Sequence, residues 1–262
     1  MATNYPRPFG APAPRRQPSA RPQHFSAETS KEPIAARRYE FMYLDGLGNI
    51  EDARVTAPAV SALEASCGAF AHGSLITTEN GDVPIEDLLP GDKVLTRDDG
   101  PQEVRWIGSM SLVPATSSPK HIPPKLVRVT ENSTGLGRPN RDIIFGEHAR
   151  LLRRNAACRS LFGTEAAFAP IGAFVDGVQI IEISPISPVK VFHILLDGQH
   201  IIQAAGMEME SYHPGRRDAL GLSNNSLSVF MELFPMLSDL GDFGPMRTPR
   251  LSKEDIQSLE SR

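Results

Sequence analysis

Residues 70–98 constrain the fold most, because tight-turn signals separate short apolar runs at close intervals. The apolar and β-branched run Leu75–Thr78 is followed by Asn80–Gly81, a pair that tolerates the positive φ angles of a two-residue hairpin turn. A second turn, Pro90–Gly91–Asp92, precedes the strand-like run Lys93–Thr96. Short strands joined by such turns predict a β-sheet domain.

Similar runs continue along the chain, with Gly, Asn or Pro between them. The run 142–153 is expected to form two strands interrupted at Gly146. Loops are expected at 109–124 and 131–140, whereas 161–174 has no clean period. Further strands are predicted at 39–44, 103–108, 126–130, 178–183, 189–196 and 199–204.

The last two of these strands flank Asp197–Gly198, which predicts a hairpin with a two-residue turn. In that register His193 and His200 lie on one face as diagonal neighbours. A metal site needs three or four converging ligands, and no third ligand is evident beside this pair. We therefore predict neither a metal nor a cofactor.

The N-terminal part of the chain differs in composition from the β-rich part. Residues 1–38 are dense in Pro, Ala, Arg and Ser, offer little to bury, and are predicted to form a disordered arm. Residues 39–68 hold the first strand and the stretch Thr56–Cys67, which is either a linker or a short helix.

The β domain is expected at residues 69–215, and residues 216–262 form a C-terminal helical segment and tail. Within this segment 226–240 has helical spacing with a break at Pro235. The helix is expected to pack on or beside the β domain through Val229, Phe230, Leu233 and Phe234.

Composition excludes several classes of function. The net charge of −4 gives no electrostatic case for nucleic-acid binding. The sequence has no Gly-rich phosphate loop, GxSxG or CxxC motif. No apolar run is long enough to span a membrane, and the N-terminus has no apolar signal region. We expect a protein that is cytoplasmic, or exported without an N-terminal signal peptide.

Four sequence blocks resemble the bacterial Hint-domain family, which is related to hedgehog and intein autoprocessing domains. The resemblance covers a little over half of the chain and implies an all-β fold of many short strands. The blocks are Ala69–Thr78, Val83–Gly108, Arg141–Leu152 and Val189–Gly215.

The resemblance implies a self-processing chemistry that begins with an N-to-S or N-to-O acyl shift. In the family, the first residue of the domain is a Cys or Ser that attacks the preceding carbonyl, and a buried His supplies acid–base catalysis. His148 matches that histidine. The nucleophile position is Ala69, and the Thr or Ser expected three residues before the histidine is Phe145. These two replacements predict reduced or lost activity.

Two other residues are candidates for the same site. Cys67 lies two residues before Ala69, and a two-residue shift keeps the facing of a strand, so Cys67 is a candidate substitute nucleophile. His72, beside the entry turn, is a candidate acid or base. No Asn stands at the end of the fourth block, so splicing is not expected.

Two functions follow from these residues. The first is an autoprocessing domain that cleaves just before Cys67 or Ala69 and depends on His148. The second is a catalytically inactive β scaffold that binds an unknown protein partner through residues 109–124 or the helical segment. Ala69 and Phe145 favour the second, because neither side chain can take part in the chemistry.

Overall fold

The computed structural model describes residue 1 and residues 35–114, 123–252 and 255–256. The part of the predicted disordered arm that comprises residues 2–34 lies outside these ranges. The described residues form short strands in two antiparallel sheets, with a few short helices, so the predicted all-β fold class is confirmed.

The structure contains sixteen strands in the described ranges. Numbered β1 to β16 in chain order, they are Ala36–Leu44, Ile50–Pro58, Phe70–Ala71, Leu75–Thr78, Gly81–Pro84, Lys93–Thr96, Gly100–Glu103, Trp106–Leu112, Leu126–Val129, Ile143–Gly146, Arg150–Arg154, Ala166–Pro170, Ile180–Ile183, Val189–Leu195, Ile201–Ala204 and Met207–Glu210. The α-helices, α1 to α4, are Ser61–Cys67, Ala156–Phe162, Arg217–Leu220 and Asn224–Met231. Short 3-10 helices occupy Ile85–Asp87, Ile171–Phe174 and Leu240–Phe243.

The strands form two sheets around a shared core. The first sheet has the order β13-β9-β10-β3-β14-β8-β1-β2, and the second has the order β12-β11-β16-β15-β4-β6-β7, with β5 paired to β4. The largest apolar cluster joins side chains of the first sheet, such as Phe70 and Phe145, to side chains of the second, such as Ile76 and Ile202. Strand β3 thus lies inside the first sheet, next to this core.

The first predicted hairpin is present, one residue earlier than expected. Strands β4 and β5 pair with Thr78 opposite Gly81, so the two turn residues are Glu79 and Asn80. Gly81 has a φ of 108°, which only glycine adopts without strain.

The prediction of a second hairpin, across Asp197–Gly198, is wrong. Strand β14 already has β3 on one edge and β8 on the other, so no edge is left for β15. The chain turns sharply at Gly198, whose N–H donates to the Leu196 carbonyl at 3.0 Å, and enters the second sheet. His193 therefore lies in the first sheet, whereas His200 immediately precedes β15 of the second sheet. The two histidines are not diagonal neighbours.

The N-terminal region contributes more strand than the sequence indicated. Strand β1 begins at Ala36, so the last three residues of the predicted 1–38 arm are part of a strand. Strand β1 pairs with β8 as well as β2, and the predicted loop at 109–124 is strand up to Leu112. Strand β2 was not predicted from the sequence. It is an edge strand, and its charged residues interrupt the alternating apolar pattern that indicates a strand.

The C-terminal helix packs on the outer side of the first sheet, as expected. Helix α4 ends at Met231, shorter than the predicted 226–240 segment. Phe230, Leu233 and Phe234 are fully buried, and Val229 packs against the same cluster. The indole N–H of Trp106 donates to the Leu233 carbonyl at 2.6 Å, which fixes this segment to β8. Within the described ranges, none of the helices has the length and apolar character that a bilayer crossing requires.

Removal of the Phe234 ring tests how strongly the C-terminal segment stabilises the fold. The ring centroid of Phe234 lies 4.7 Å from that of Trp106 and 5.5 Å from that of Tyr212. We expect Phe234→Ala to lower the free energy of unfolding by about 3–5 kcal/mol, because it leaves a cavity among these rings. Urea unfolding followed by tryptophan fluorescence measures the loss.

Phe162→Ala is the matched control, because it removes the same ring from an exposed position. We expect this variant to lose about 1 kcal/mol or less. Equal losses in the two variants would contradict the packing described for the C-terminal segment.

Candidate functional site

The junction between helix α1 and strand β3 is held by backbone hydrogen bonds from three directions. The Ala69 N–H donates to the Phe192 carbonyl at 3.0 Å, and the Gly146 N–H donates to the Ala69 carbonyl at 2.8 Å. The His148 N–H donates to the Gly68 carbonyl at 3.3 Å. The peptide bond between Gly68 and Ala69 is therefore fixed within the first sheet, beside the residues that the sequence singled out.

Two glycines allow this close approach. A β-carbon added at Gly146 would lie 2.2 Å from the Gly68 carbonyl oxygen, a backbone atom that cannot move aside. A β-carbon at Gly68 would lie 2.9 Å from the Cδ2 atom of the His148 ring. The imidazole thus lies directly against the Gly68–Ala69 junction. Sequence reasoning used Gly146 only as a strand interruption and did not use Gly68.

The side chains of Ala69 and Phe145 carry no reactive group. Ala69 is 1% exposed and ends in a methyl group. Phe145 is fully buried and packs edge-on against Phe70, with ring centroids 6.0 Å apart. Neither side chain can attack the Gly68 carbonyl or donate a hydrogen bond to it.

His148 is largely buried and stays neutral near physiological pH. Burial, with repulsion from Arg150 and Arg37, lowers the pKa of His148 to about 4. Its Nε2 atom is buried and has no hydrogen-bond partner among the described residues. The Glu147 carboxylate lies 3.6 Å from Nε2, which is too long for a hydrogen bond. The ring lies against the junction but is a weak base.

Cys67 lies at the end of helix α1 with its thiol turned into an apolar cluster. The side chain is fully buried among residues that include Tyr39 and Trp106. Burial raises the pKa of the Cys67 thiol to about 12, opposed only by a contact with the Ser66 hydroxyl at 3.5 Å. Because the thiolate is the reactive form, this environment makes Cys67 a poor nucleophile.

His72 stands apart from His148. Its side chain is exposed, and its Nδ1 atom lies 3.3 Å from the Glu86 carboxylate. It borders a groove that includes Ile144 and Pro185, whereas His148 borders a different cleft. The structure therefore places Cys67, Ala69 and His148 around one junction and leaves His72 outside it.

His193 is a residue near the site that the sequence did not assign to it. It is buried, with its ring centroid 5.6 Å from that of Phe70 and 5.3 Å from that of Tyr212. Burial lowers the pKa of His193, and repulsion from Arg250 and His148 lowers it further. Strand alternation predicts which face His193 occupies, but only the position of β14 beside β3 brings it to the junction.

A cleft of about 620 Å³ opens beside the junction. Its walls include Gly68 and His148, together with Arg37 on β1 and Glu64 on α1. Strand β1 and helix α1 precede the junction in the chain, so the N-terminal region completes one wall of the site.

A family model described as "Hint domain" matches residues 68–216 of the chain. A search of the curated proteins gave no match. Among solved structures, the bacterial intein-like domain from Clostridium thermocellum is 16% identical, with a TM-score of 0.39 over 56% of this chain and 100% of that one. The gp41-1 intein is 18% identical, with a TM-score of 0.33 over 55% and 98% of the two chains. The MchDnaB-1 intein is 19% identical, with a TM-score of 0.31 over 55% and 100%.

The low pKa of His148 makes part of the folding free energy depend on pH. The ring titrates near 6.5 in the unfolded chain and at about 4 in the fold, so the unfolded state binds more protons between these values. The stability that rests on neutral His148 is fully present above pH 6.5 and is lost as the pH falls toward 4. Between pH 7 and 4.5 the free energy of unfolding should fall in both proteins. We expect this fall to be about 2 kcal/mol smaller in His148→Gln than in the wild type.

Urea unfolding at several pH values measures this difference. His72→Gln is the control, because it removes an exposed imidazole, and its profile should match that of the wild type. Identical pH profiles for His148→Gln and the wild type would contradict the burial of the His148 ring.

Proposed function

Because this chain belongs to the Hint domain family over residues 68–216, we propose that it is a Hint domain that has lost self-processing at its nucleophile position. Ala69 is the observation that carries the proposal. It stands where the resemblance to the family places the nucleophile, and its methyl group has no atom that can attack the Gly68 carbonyl.

The surroundings of Ala69 support a loss of the nucleophile without a loss of the fold. The Gly68 carbonyl accepts from the His148 N–H, and the imidazole lies against Gly68. An acyl shift needs such a held carbonyl and an acid–base group close to the peptide nitrogen. A hydroxyl or thiol at position 69 and a donor in place of Phe145 are missing from this arrangement.

Retained self-processing through Cys67 is the alternative function. It requires the Cys67 thiol to leave an apolar cluster and to lose its proton, although burial raises its pKa to about 12. It also requires the α1–β3 connection to shift, because helix α1 ends at Cys67 and strand β3 begins at Phe70. Both requirements weigh against Cys67 as a substitute nucleophile.

We further propose that the domain acts as a stable β scaffold for a protein partner. Of the two surfaces predicted for this role, the C-terminal helical segment has its apolar residues Phe230, Leu233 and Phe234 buried against the first sheet. The remaining candidate is the segment 109–124, of which residues 115–122 lie outside the described ranges.

Restoration of the nucleophile tests the proposal. In Ala69→Cys, we expect the new thiol to attack the Gly68 carbonyl, so that a thioester forms and the nitrogen of residue 69 leaves as a free amine. Dithiothreitol should then cleave the chain into fragments 1–68 and 69–262, while the wild type stays intact. Phe145 cannot help to polarise the carbonyl, so the reaction should need hours. Intact-mass spectrometry identifies both fragments.

Ala71→Cys is the matched control, because it places the same thiol at another buried alanine of the same strand region, away from Gly68. The Ala71→Cys protein should remain intact. In a double variant that combines Ala69→Cys with His148→Gln, cleavage should be at least tenfold slower than in Ala69→Cys alone. An Ala69→Cys protein that folds like the wild type but never cleaves would overturn the proposal that the nucleophile is the decisive loss.

A further inference from the structure

Three side chains at the wall of the cleft converge in a way that the self-processing chemistry does not require. Glu64 lies on helix α1, and Glu147 and His148 lie in the turn between β10 and β11. Each offers one ligand atom, and these atoms lie within 4.8 Å of one another. Glu64 precedes the segment that matches the family, so this cluster combines two separate parts of the chain.

The histidine of this cluster has an unused ring nitrogen. His148 Nε2 has less than 1 Å² of exposed surface and no hydrogen-bond partner in the described part of the chain. A buried nitrogen without a partner is unfavourable, because it has lost its contact with water and gained nothing in return. An imidazole nitrogen of this kind can act as a metal ligand.

The cluster brings two carboxylates together, and the positive charge of Arg150 beside His148 is paired with Glu210 at 3.3 Å. The Glu64 and Glu147 carboxylates both line the cleft, so two acidic groups lie close to His148. The guanidinium of Arg37 lies 2.7 Å from the Glu64 carboxylate and offsets one of the two negative charges. Lys125 pairs with Glu182 at 2.9 Å, so its charge is largely balanced elsewhere. One negative charge of the carboxylate pair is left for a further cation to neutralise.

We propose that Glu64, Glu147 and His148 bind one divalent metal ion, Zn²⁺ or a transition metal with similar ligand preferences, at the wall of the cleft. Two carboxylate oxygens and one imidazole nitrogen suit Zn²⁺, whereas Mg²⁺ and Ca²⁺ prefer oxygen ligands alone. The 3.6 Å separation between Glu147 and His148 Nε2 is close to the spacing of two ligands around a tetrahedral ion. Three protein ligands leave a fourth position open toward the cleft.

The positive charge of Arg37 limits the affinity of this site. We expect a dissociation constant for Zn²⁺ in the micromolar range, weaker than that of a structural zinc site with thiolate ligands. This inference does not depend on whether self-processing has been lost, because neither Ala69 nor Cys67 is a ligand.

Zinc titration of the purified full-length chain tests the inference. Isothermal titration calorimetry with ZnCl₂ should give one saturable site per chain, with no comparable heat from MgCl₂. We expect Glu147→Gln and His148→Asn each to weaken zinc binding at least tenfold. The Glu147 side chain is 56% exposed, so its substitution is expected to leave the fold intact.

His72→Asn is the matched control, because it removes the exposed histidine that lies beside Glu86 and should leave zinc binding unchanged. Thermal unfolding of each variant without metal checks that the fold is kept. The absence of saturable zinc binding to the wild type would overturn the inference. Binding that persists in folded Glu147→Gln, or that disappears in His72→Asn, would overturn it as well.

Discussion

The approach of Gly146 to Gly68 is the contact on which the arrangement of the site depends. Strand β3 has two residues and lies between β10 and β14, and the chain just before it passes directly over Gly146. Any β-carbon at position 146 would collide with the Gly68 carbonyl oxygen. The same contact brings the next turn, with His148, against the Gly68–Ala69 peptide bond. A backbone constraint therefore positions the chemistry, and it persists although the side chain at position 69 is unreactive.

This constraint separates the fold from the activity. The hydrogen bonds that hold the junction come from backbone groups of Gly146, His148 and Phe192, so they do not depend on whether position 69 holds a cysteine, a serine or an alanine. Replacement of a nucleophile by alanine removes the reaction and costs the sheet little. The backbone geometry of the junction can thus persist whichever side chain stands at position 69.

The sequence predicted strands better than it predicted their partners. Turn residues located β4, β6 and β14, because Gly and Pro act locally. The predicted partner of β14 was wrong, because the sequence does not reveal that β3 and β8 occupy its two edges. The sequence singled out His148 and Ala69, which the structure brings to one junction, but it gave no place to Gly68 and Glu64. Their positions beside the junction come from close packing between segments that are distant in sequence, for which a local pattern carries no signal.

The most direct test of the central claim is the mass of the purified wild-type chain after incubation with and without dithiothreitol or hydroxylamine. Both reagents cleave a thioester, and hydroxylamine also cleaves an ester. The account predicts one full-length mass under every condition, because no nucleophile reaches the Gly68 carbonyl. A fragment that ends at Ser66 or Gly68, and that disappears in His148→Ala, would contradict it and would show that the domain still rearranges its own backbone.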